Sequence, residues 1–128
     1  MEDNHCIISI GERTFVGKDS HLACTEDGSK LLIGSDCMIS SHVQIRTGDS
    51  HSILDSNGDR INPASSVSIG NHVWLGEGCK VLKGVSLDGD DIVSTGAIVT
   101  KSFGRNLLIG GIPAKILKEN VIWDKERV

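Results

Sequence analysis

The sequence predicts an all-β protein, a parallel β-helix built from hexapeptides, and three observations carry that prediction. First, an aliphatic residue stands at every sixth position from Ile69 to Val99: Ile69, Leu75, Val81, Leu87, Val93, Val99. Helices repeat every ~3.6 residues and strands every two, so a period of six belongs to neither alone. It fits a short strand, a tight corner and another short strand, with one side chain per unit pointing inward. Second, the same frame runs back through Ile45, Ile39 and Ile33, and a shifted frame catches Ile10, Val16 and Leu22. Third, 15 glycines against two Phe, two Trp and no Tyr suit a solenoid with many corners. A sandwich draws more heavily on aromatic strands.

Taken in order, units such as Ile33-Gly34-Ser35-Asp36-Cys37-Met38 and Leu75-Gly76-Glu77-Gly78-Cys79-Lys80 put the aliphatic residue inside. Glycine often follows it, at 11, 17, 34, 70 and 76, where a corner is expected to demand a permissive backbone. The fifth residue is small or aliphatic, as at Cys37, Val43, Val73, Cys79, Val85 and Ala97. Three units close one triangular coil of about 18 residues, and stacking buries ladders that no single coil buries alone. Between Leu22 and Ile33 the frame slips by one across Glu26-Asp27-Gly28-Ser29, which reads as a corner turn. The segment from Arg46 to Ser66 is rich in Asp, Ser, Asn and Gly, yet Ile69 resumes in phase with Ile45. Either a coil's worth of chain leaves the prism as a loop, or that coil is distorted in place. After Val99 come a last strand, Leu107-Leu108-Ile109-Gly110-Gly111, and a short helix expected over 114–119 with Pro113 near its start. Ile122 and Trp123 are expected to pack back on the coil or on a neighbouring subunit. The expectation is one β-helix domain over 1–128, with coils at 7–106, a loop excursion at about 46–66 and a C-terminal strand/helix tail at 107–128.

Composition removes several function classes. No apolar run approaches a membrane span, and Met-Glu-Asp-Asn-His does not open a signal peptide, so a cytoplasmic protein is expected. Residues 101–128 carry a net charge of +3 in a chain of net −4, leaving −7 on the first hundred residues. An acidic body with a basic end does not suit general nucleic-acid binding, but it allows one anionic ligand at that end. Cys6, Cys24, Cys37 and Cys79 contain no CxxC pair and read as reduced structural thiols. His5, His21, His42, His51 and His72 are never closer than nine residues, so no metal site is expected.

The irregular segment holds Thr47-Gly48-Asp49-Ser50-His51-Ser52-Ile53-Leu54-Asp55. A histidine flanked by carboxylates can be held in one tautomer and serve as a general base, with Asp49 and Asp55 both candidates to orient it. A serine triad is not indicated, because adjacent residues rarely supply its geometry and GxSxG is absent.

The runs TGDSHSILD, IGNHVWLGEG, VLKGVSL, TGAIVTK and GGIPAK, in that order, resemble the hexapeptide-repeat O-acetyltransferases. The resemblance covers residues 33–118 and points to enzymes that acetylate sugars and surface polysaccharides, with galactoside, maltose and streptogramin acetyltransferases as cousins. It implies a left-handed parallel β-helix, a homotrimer, and acetyl-CoA between adjacent prisms. By the same resemblance His51 is the catalytic base, Trp74 lines the site near the pantetheine arm, and Gly76 and Glu77 flank the thioester end. Thr95 offers a backbone amide to the cofactor, Thr100 and Lys101 lie further along it, and Lys115 and Lys118 face the CoA phosphates. In that mechanism a corner amide such as that of Gly76 would stabilise the oxyanion. Where relatives carry small residues this chain has Leu87-Asp88-Gly89-Asp90-Asp91, and Asp91 is expected to turn outward at a deformed corner. Two other functions stay open: a non-catalytic assembly or regulatory module, and an acetyltransferase acting on an antibiotic or amino sugar.

Overall fold

A computed structural model describes residues 5–127 and shows a triangular prism of parallel strands wound as a left-handed β-helix. The first coil holds β1 (Ile7–Ile10), β2 (Phe15–Val16) and β3 (His21–Ala23), and the second β4 (Lys30–Ile33), β5 (Met38–Ile39) and β6 (Gln44–Arg46). The third holds β7 (Val67–Asn71), β8 (Trp74–Leu75) and β9 (Lys80–Val81), and the fourth β10 (Ser86–Gly89), β11 (Ile92–Val93) and β12 (Ile98–Val99). Then come β13 (Leu107–Gly111) and β14 (Ala114–Glu119). The first face of the prism is β1-β4-β7-β10, the second β2-β5-β8-β11-β13 with β14 at its end, and the third β3-β6-β9-β12.

The six-residue ladder is the core. Ile33, Ile69 and Leu87 line the first face, Ile39, Leu75 and Val93 the second, and Ile45, Val81 and Val99 the third, all buried. The shifted frame is the first coil. Its inward Ile10 and Val16 are 45% and 37% exposed, because within the described residues no coil lies beyond them. Cys6, Cys24, Cys37 and Cys79 are buried and form no disulfide among the described residues, and burial pushes the Cys79 thiol up to about 12.

Register shows where the chain varies in length. From the first face to the second the step is constant: Ile10, Ile33, Ile69 and Leu87 are each followed five residues on by Phe15, Met38, Trp74 and Ile92. The step from second to third is equally constant. Consecutive coils are nevertheless offset by 23 residues (Ile10↔Ile33), 36 (Ile33↔Ile69), 18 (Ile69↔Leu87) and 16 (Leu87↔Phe103). Every irregularity therefore falls at the edge between the third face and the first. The five extra residues include the Glu26–Ser29 turn. The eighteen extra residues leave the prism as a loop, so the distorted-coil alternative is not what forms.

The glycines after the ladder residues serve a different purpose from the one expected. Gly11, Gly17, Gly34, Gly70 and Gly76 are not in the left-handed region. A methyl carbon added at Gly76 would instead meet the Val93 carbonyl oxygen at 2.6 Å, and one at Gly11 would meet the Gly34 carbonyl carbon at 2.6 Å. Glycine lets one coil's backbone touch the next. The left-handed residues come two positions later, at Arg13, Asp36, His72 and Asp90 along one edge and Asp19, His42, Gly78 and Gly96 along the next.

Two further expectations are corrected. Residues 114–119 form a strand, not a short helix, because β13 would otherwise leave its outer backbone groups unpaired. The chain reverses after Gly111 and β14 pairs antiparallel with β13, which overrides the local helix preference. Asp91 does not turn outward: it is 0% exposed and stacks in the slot of Cys37 and Val73. The last coil is two residues short, and the Asp91 carboxylate accepts a hydrogen bond from the Leu107 N–H at 3.0 Å where β13 begins.

Burial, with Asp88 and Asp90 nearby, raises the Asp91 carboxyl to about 6 from its ordinary 3.8. A carboxyl raised in the folded state costs stability above the folded value, and that cost is relieved as pH falls through about 6 toward 4. Asp91→Asn removes the charge and keeps one oxygen for the Leu107 N–H, while its NH2 replaces the oxygen 3.5 Å from the Gly89 nitrogen, so a net stabilisation of about 1–2 kcal/mol is expected near pH 7. The gain should largely vanish near pH 4, which denaturant titrations of both proteins at the two pH values would check.

Candidate active site

The outward residues of the second face stand in register as one ladder: Phe15, Met38, Trp74, Ile92 and Leu108. Trp74 is 40% exposed, and its indole N–H reaches the Ser40 hydroxyl at 3.4 Å. Beside it runs an open groove lined by Trp74, Gly76, Ser94, Thr95 and Leu108, which brings three expected cofactor contacts together. The Gly76 N–H is already donated to the Val93 carbonyl at 2.8 Å, so it is not a free oxyanion donor. Among the described residues the Thr95 N–H has no hydrogen-bond partner.

The other expected cofactor residues are spread around the groove. Glu77 sits on the same edge, its carbonyl accepting from the Gly96 N–H and its carboxylate 3.7 Å from His42 Nδ1. Lys118 pairs with Leu108 and Lys115 with Gly110 across the β13–β14 hairpin; both are exposed, and neither has an ion pair among the described residues. Thr100 and Lys101 follow β12 at the next edge and do not line the groove; the Lys101 ammonium lies 5.5 Å from the Phe103 ring.

The loop carrying His51 is fastened at several points. The Thr47 hydroxyl accepts from the Thr25 N–H at 2.9 Å, and the Ser65 N–H donates to the Thr47 carbonyl at 2.8 Å, closing the stem. Arg60 holds Glu26 with two bonds of 2.7 Å. Asn62, 5% exposed, donates to the His51 carbonyl at 2.8 Å and to Asp49 at 3.0 Å, and accepts from the Ile53 N–H at 2.6 Å. Sequence reading missed Asn62 and Arg60, since polar residues in a polar loop give no periodic signal.

The His51 imidazole is exposed, and among the described residues its ring makes no hydrogen bond. Asp49 is bound by the Lys83 ammonium at 2.7 Å as well as by Asn62, which together hold its carboxyl below the usual range. Asp55 accepts from the N–H groups of Asn57 and Asp59 and so closes its own turn. Neither carboxylate is spent on the imidazole; they shape the loop that presents it. Lys83→Ala should therefore loosen this loop more than the fold. Unfolding free energy is expected to fall by less than about 1 kcal/mol, while limited proteolysis within residues 50–61 becomes faster than in the wild type.

A third cluster was also missed. His72 Nδ1 lies 2.9 Å from the Asp90 carboxylate, and the Trp123 ring stacks on the imidazole at 4.1 Å with an interplanar angle of 8°. The Trp123 N–H donates to the His72 carbonyl at 2.8 Å, and its ring lies 5.9 Å from that of Trp74. Trp123 packs back on the coil as expected, whereas Ile122 is 68% exposed. No group of three or more metal-ligating side chains occurs among the described residues.

Known proteins resemble this arrangement along most of the chain. A polysialic acid O-acetyltransferase of Neisseria meningitidis is 41% identical over 123 residues, covering 94% of this chain and 56% of the relative. A polysialic acid O-acetyltransferase of Escherichia coli O1:K1 / APEC is 38% identical over 117 residues, covering 91% of this chain and 38% of the relative. The crystal structure of the polySia-specific acetyltransferase NeuO superimposes with a TM-score of 0.89 at 36% identity, over 94% of this chain and 56% of that one. The chain thus spans roughly two fifths to three fifths of the length of these relatives. No family model matches the sequence. The register of the prism, the loop before the Val73-Trp74-Leu75-Gly76 segment and these likenesses agree: the chain belongs to the hexapeptide-repeat acyltransferase family, and the relatives it matches here are polysialic acid O-acetyltransferases.

Proposed function

We propose that this protein is an acetyl-CoA-dependent O-acetyltransferase that acetylates a hydroxyl of a bacterial surface glycan, with His51 as general base. One observation carries the reading: an exposed imidazole with no hydrogen-bond partner among the described residues sits on a loop pinned by Asn62, Lys83 and Arg60. A fixed but uncommitted base is what proton abstraction from a substrate requires. The relatives named as polysialic acid O-acetyltransferases support an acidic glycan as the acceptor class.

The groove beside Trp74 suits the donor. Its backbone edge offers the Thr95 N–H, and Lys115 and Lys118 on the neighbouring hairpin, without an ion pair among the described residues, suit phosphate groups. Thr100, Lys101 and Glu77 would meet the cofactor only along its periphery. In the reaction His51 takes the hydroxyl proton as the sugar oxygen attacks the thioester carbonyl. The C–S bond of the tetrahedral intermediate then breaks, and the CoA thiolate leaves with a proton returned from His51. Asp49 and Asp55 act as positioning residues through the loop backbone.

The two halves of this site lie on different edges of one chain. The His51 loop springs from the edge between third and first faces, the groove from the edge between second and third. That separation supports a homotrimer in which one copy's loop meets its neighbour's groove. The reading places the protein in the cytoplasm, where the donor is available. Thiol release from acetyl-CoA across a panel of acidic and neutral glycans tests the activity, and sedimentation tests the trimer. Absence of glycan-dependent thiol release would sink the reading.

A further inference from the structure

After β14 the chain turns at Asn120 and runs back up the outside of the second face. Val121 is tied to Asn106 by bonds of 3.0 and 3.3 Å, Trp123 is 9% exposed and locked onto His72, and Asp124–Arg127 continue past Met38. This strap and the face enclose a cleft of about 330 Å³ lined by Met38, Ser40, Trp74, Trp123, Asp124, Lys125 and Arg127. Trp74 is the shared wall: the groove suited to the donor lies on one side of it and this cleft on the other.

We propose that the strap, pinned by Trp123, forms with Met38, Ser40 and Trp74 a subsite for one carboxylate-bearing sugar unit of the acceptor. The inference rests on the acetyltransferase reading with an acidic acceptor and adds the residues that hold one acidic unit and their place on the fold. A pyranose offers an apolar C–H face and a polar rim. The cleft offers the matching surfaces, with Met38 and two indoles as an apolar floor and the Ser40 hydroxyl and two cations at its border.

Charge selects the acidic unit. Lys125 and Arg127 have no ion pair among the described residues, in a chain of net charge −4. Arg13, further along the same face, is engaged by Asp36 at 2.7 Å and by Glu12 at 3.0 Å, so it does not compete for the ligand. The Asp124 carboxylate accepts from the Glu126 N–H at 2.9 Å, within the strap itself. Asp124 keeps its charge, and Lys125 is close enough to Asp36 to lower that carboxyl, but the two cations outnumber the one carboxylate that lines the cleft, so its charged lining is net positive. A unit held against Trp74 is also beside the groove that receives the thioester, as a two-substrate transfer needs.

The test compares wild type with Lys125→Ala/Arg127→Ala, Trp123→Ala and Trp123→Phe. The probes are a short sialic acid oligomer and a neutral glucose oligomer of equal length. For the double variant the KM for the acidic oligomer is expected to rise about tenfold, with kcat and the KM for acetyl-CoA within about twofold. Values for the neutral oligomer should not change. Trp123→Ala should weaken both oligomers, and Trp123→Phe should restore most of the loss by keeping an aromatic anchor. An unchanged KM for the acidic oligomer in the double variant would overturn the subsite while leaving the acetyltransferase reading intact. Saturation-transfer NMR without CoA separates the opposite case. If wild type transfers no acetyl group, yet oligomer signals are present and disappear in the double variant, the subsite stands and the catalytic reading falls.

Discussion

His51→Ala is expected to reduce acetyl transfer by about 10²- to 10⁴-fold, the usual contribution of a positioned general base. A sugar hydroxyl is a poor nucleophile while it holds its proton, and no other imidazole lies on the loop. The imidazole is exposed and makes no hydrogen bond among the described residues, so its removal leaves none of their buried groups unsatisfied. The loop is fastened through the His51 backbone carbonyl, not its ring, and alanine keeps that bond to Asn62. Thermal stability without ligand should accordingly match the wild type, and the upward shift in melting temperature on adding CoA should persist. Turnover equal to wild type would remove His51 from the mechanism. A loss of the CoA-induced shift would assign it to cofactor binding instead. Asp49→Asn and Asp55→Asn act only through loop geometry and should cost much less.

The largest effect on stability is expected in the middle of the internal ladder. Leu75 is fully buried on the second face, between Ile39 above and Val93 below. Leu75→Ala deletes buried carbons from a stack whose corners are held in backbone contact at Gly76, so the coils cannot close over the cavity. A loss of about 2–5 kcal/mol is expected. Ile10→Ala, in the same ladder pattern but 45% exposed on the first coil, should cost clearly less. Denaturant melts of the two variants side by side check the contrast. Equal losses would mean that the ladder is not the stabilising unit.

Periodicity made most of the fold legible. Every six-residue ladder position from Ile33 to Val99 outside the loop is buried, because the inward direction recurs once per strand and corner. The return of Ile69 to the frame of Ile45 likewise showed an insertion of whole hexapeptides. Errors arose where a non-local partner decided the outcome. Ala114–Glu119 became a strand because β13 offered an open edge, and Asp91 turned inward because a shortened coil left the Leu107 N–H to be satisfied. The candidate site divided in the same way. Trp74, Gly76 and Thr95 share one groove because the repeat places them on adjacent coils. Asn62, Lys83 and the docking of Trp123 on His72 could not be found from sequence, since each bond spans 11 to 51 residues and joins backbone or side-chain groups that no spacing rule encodes.

The confinement of length changes to one edge of the prism divides the molecule into a fixed and a variable part. At the other two edges coil touches coil through backbone, so an added residue there would force the coils apart. At the third-to-first edge the coils are tied at the stem, through Thr25, Thr47, Ser65 and Gly84, and the chain beyond that stem carries a turn, an eighteen-residue loop and a two-residue deletion. The loop with His51 grows from it, whereas Gly76 and Thr95 sit on a constant edge. A lineage can therefore rebuild the loop that carries His51 by insertion and deletion without disturbing the groove beside Trp74. One scaffold can thus keep a single activated acyl donor while changing the molecules it modifies.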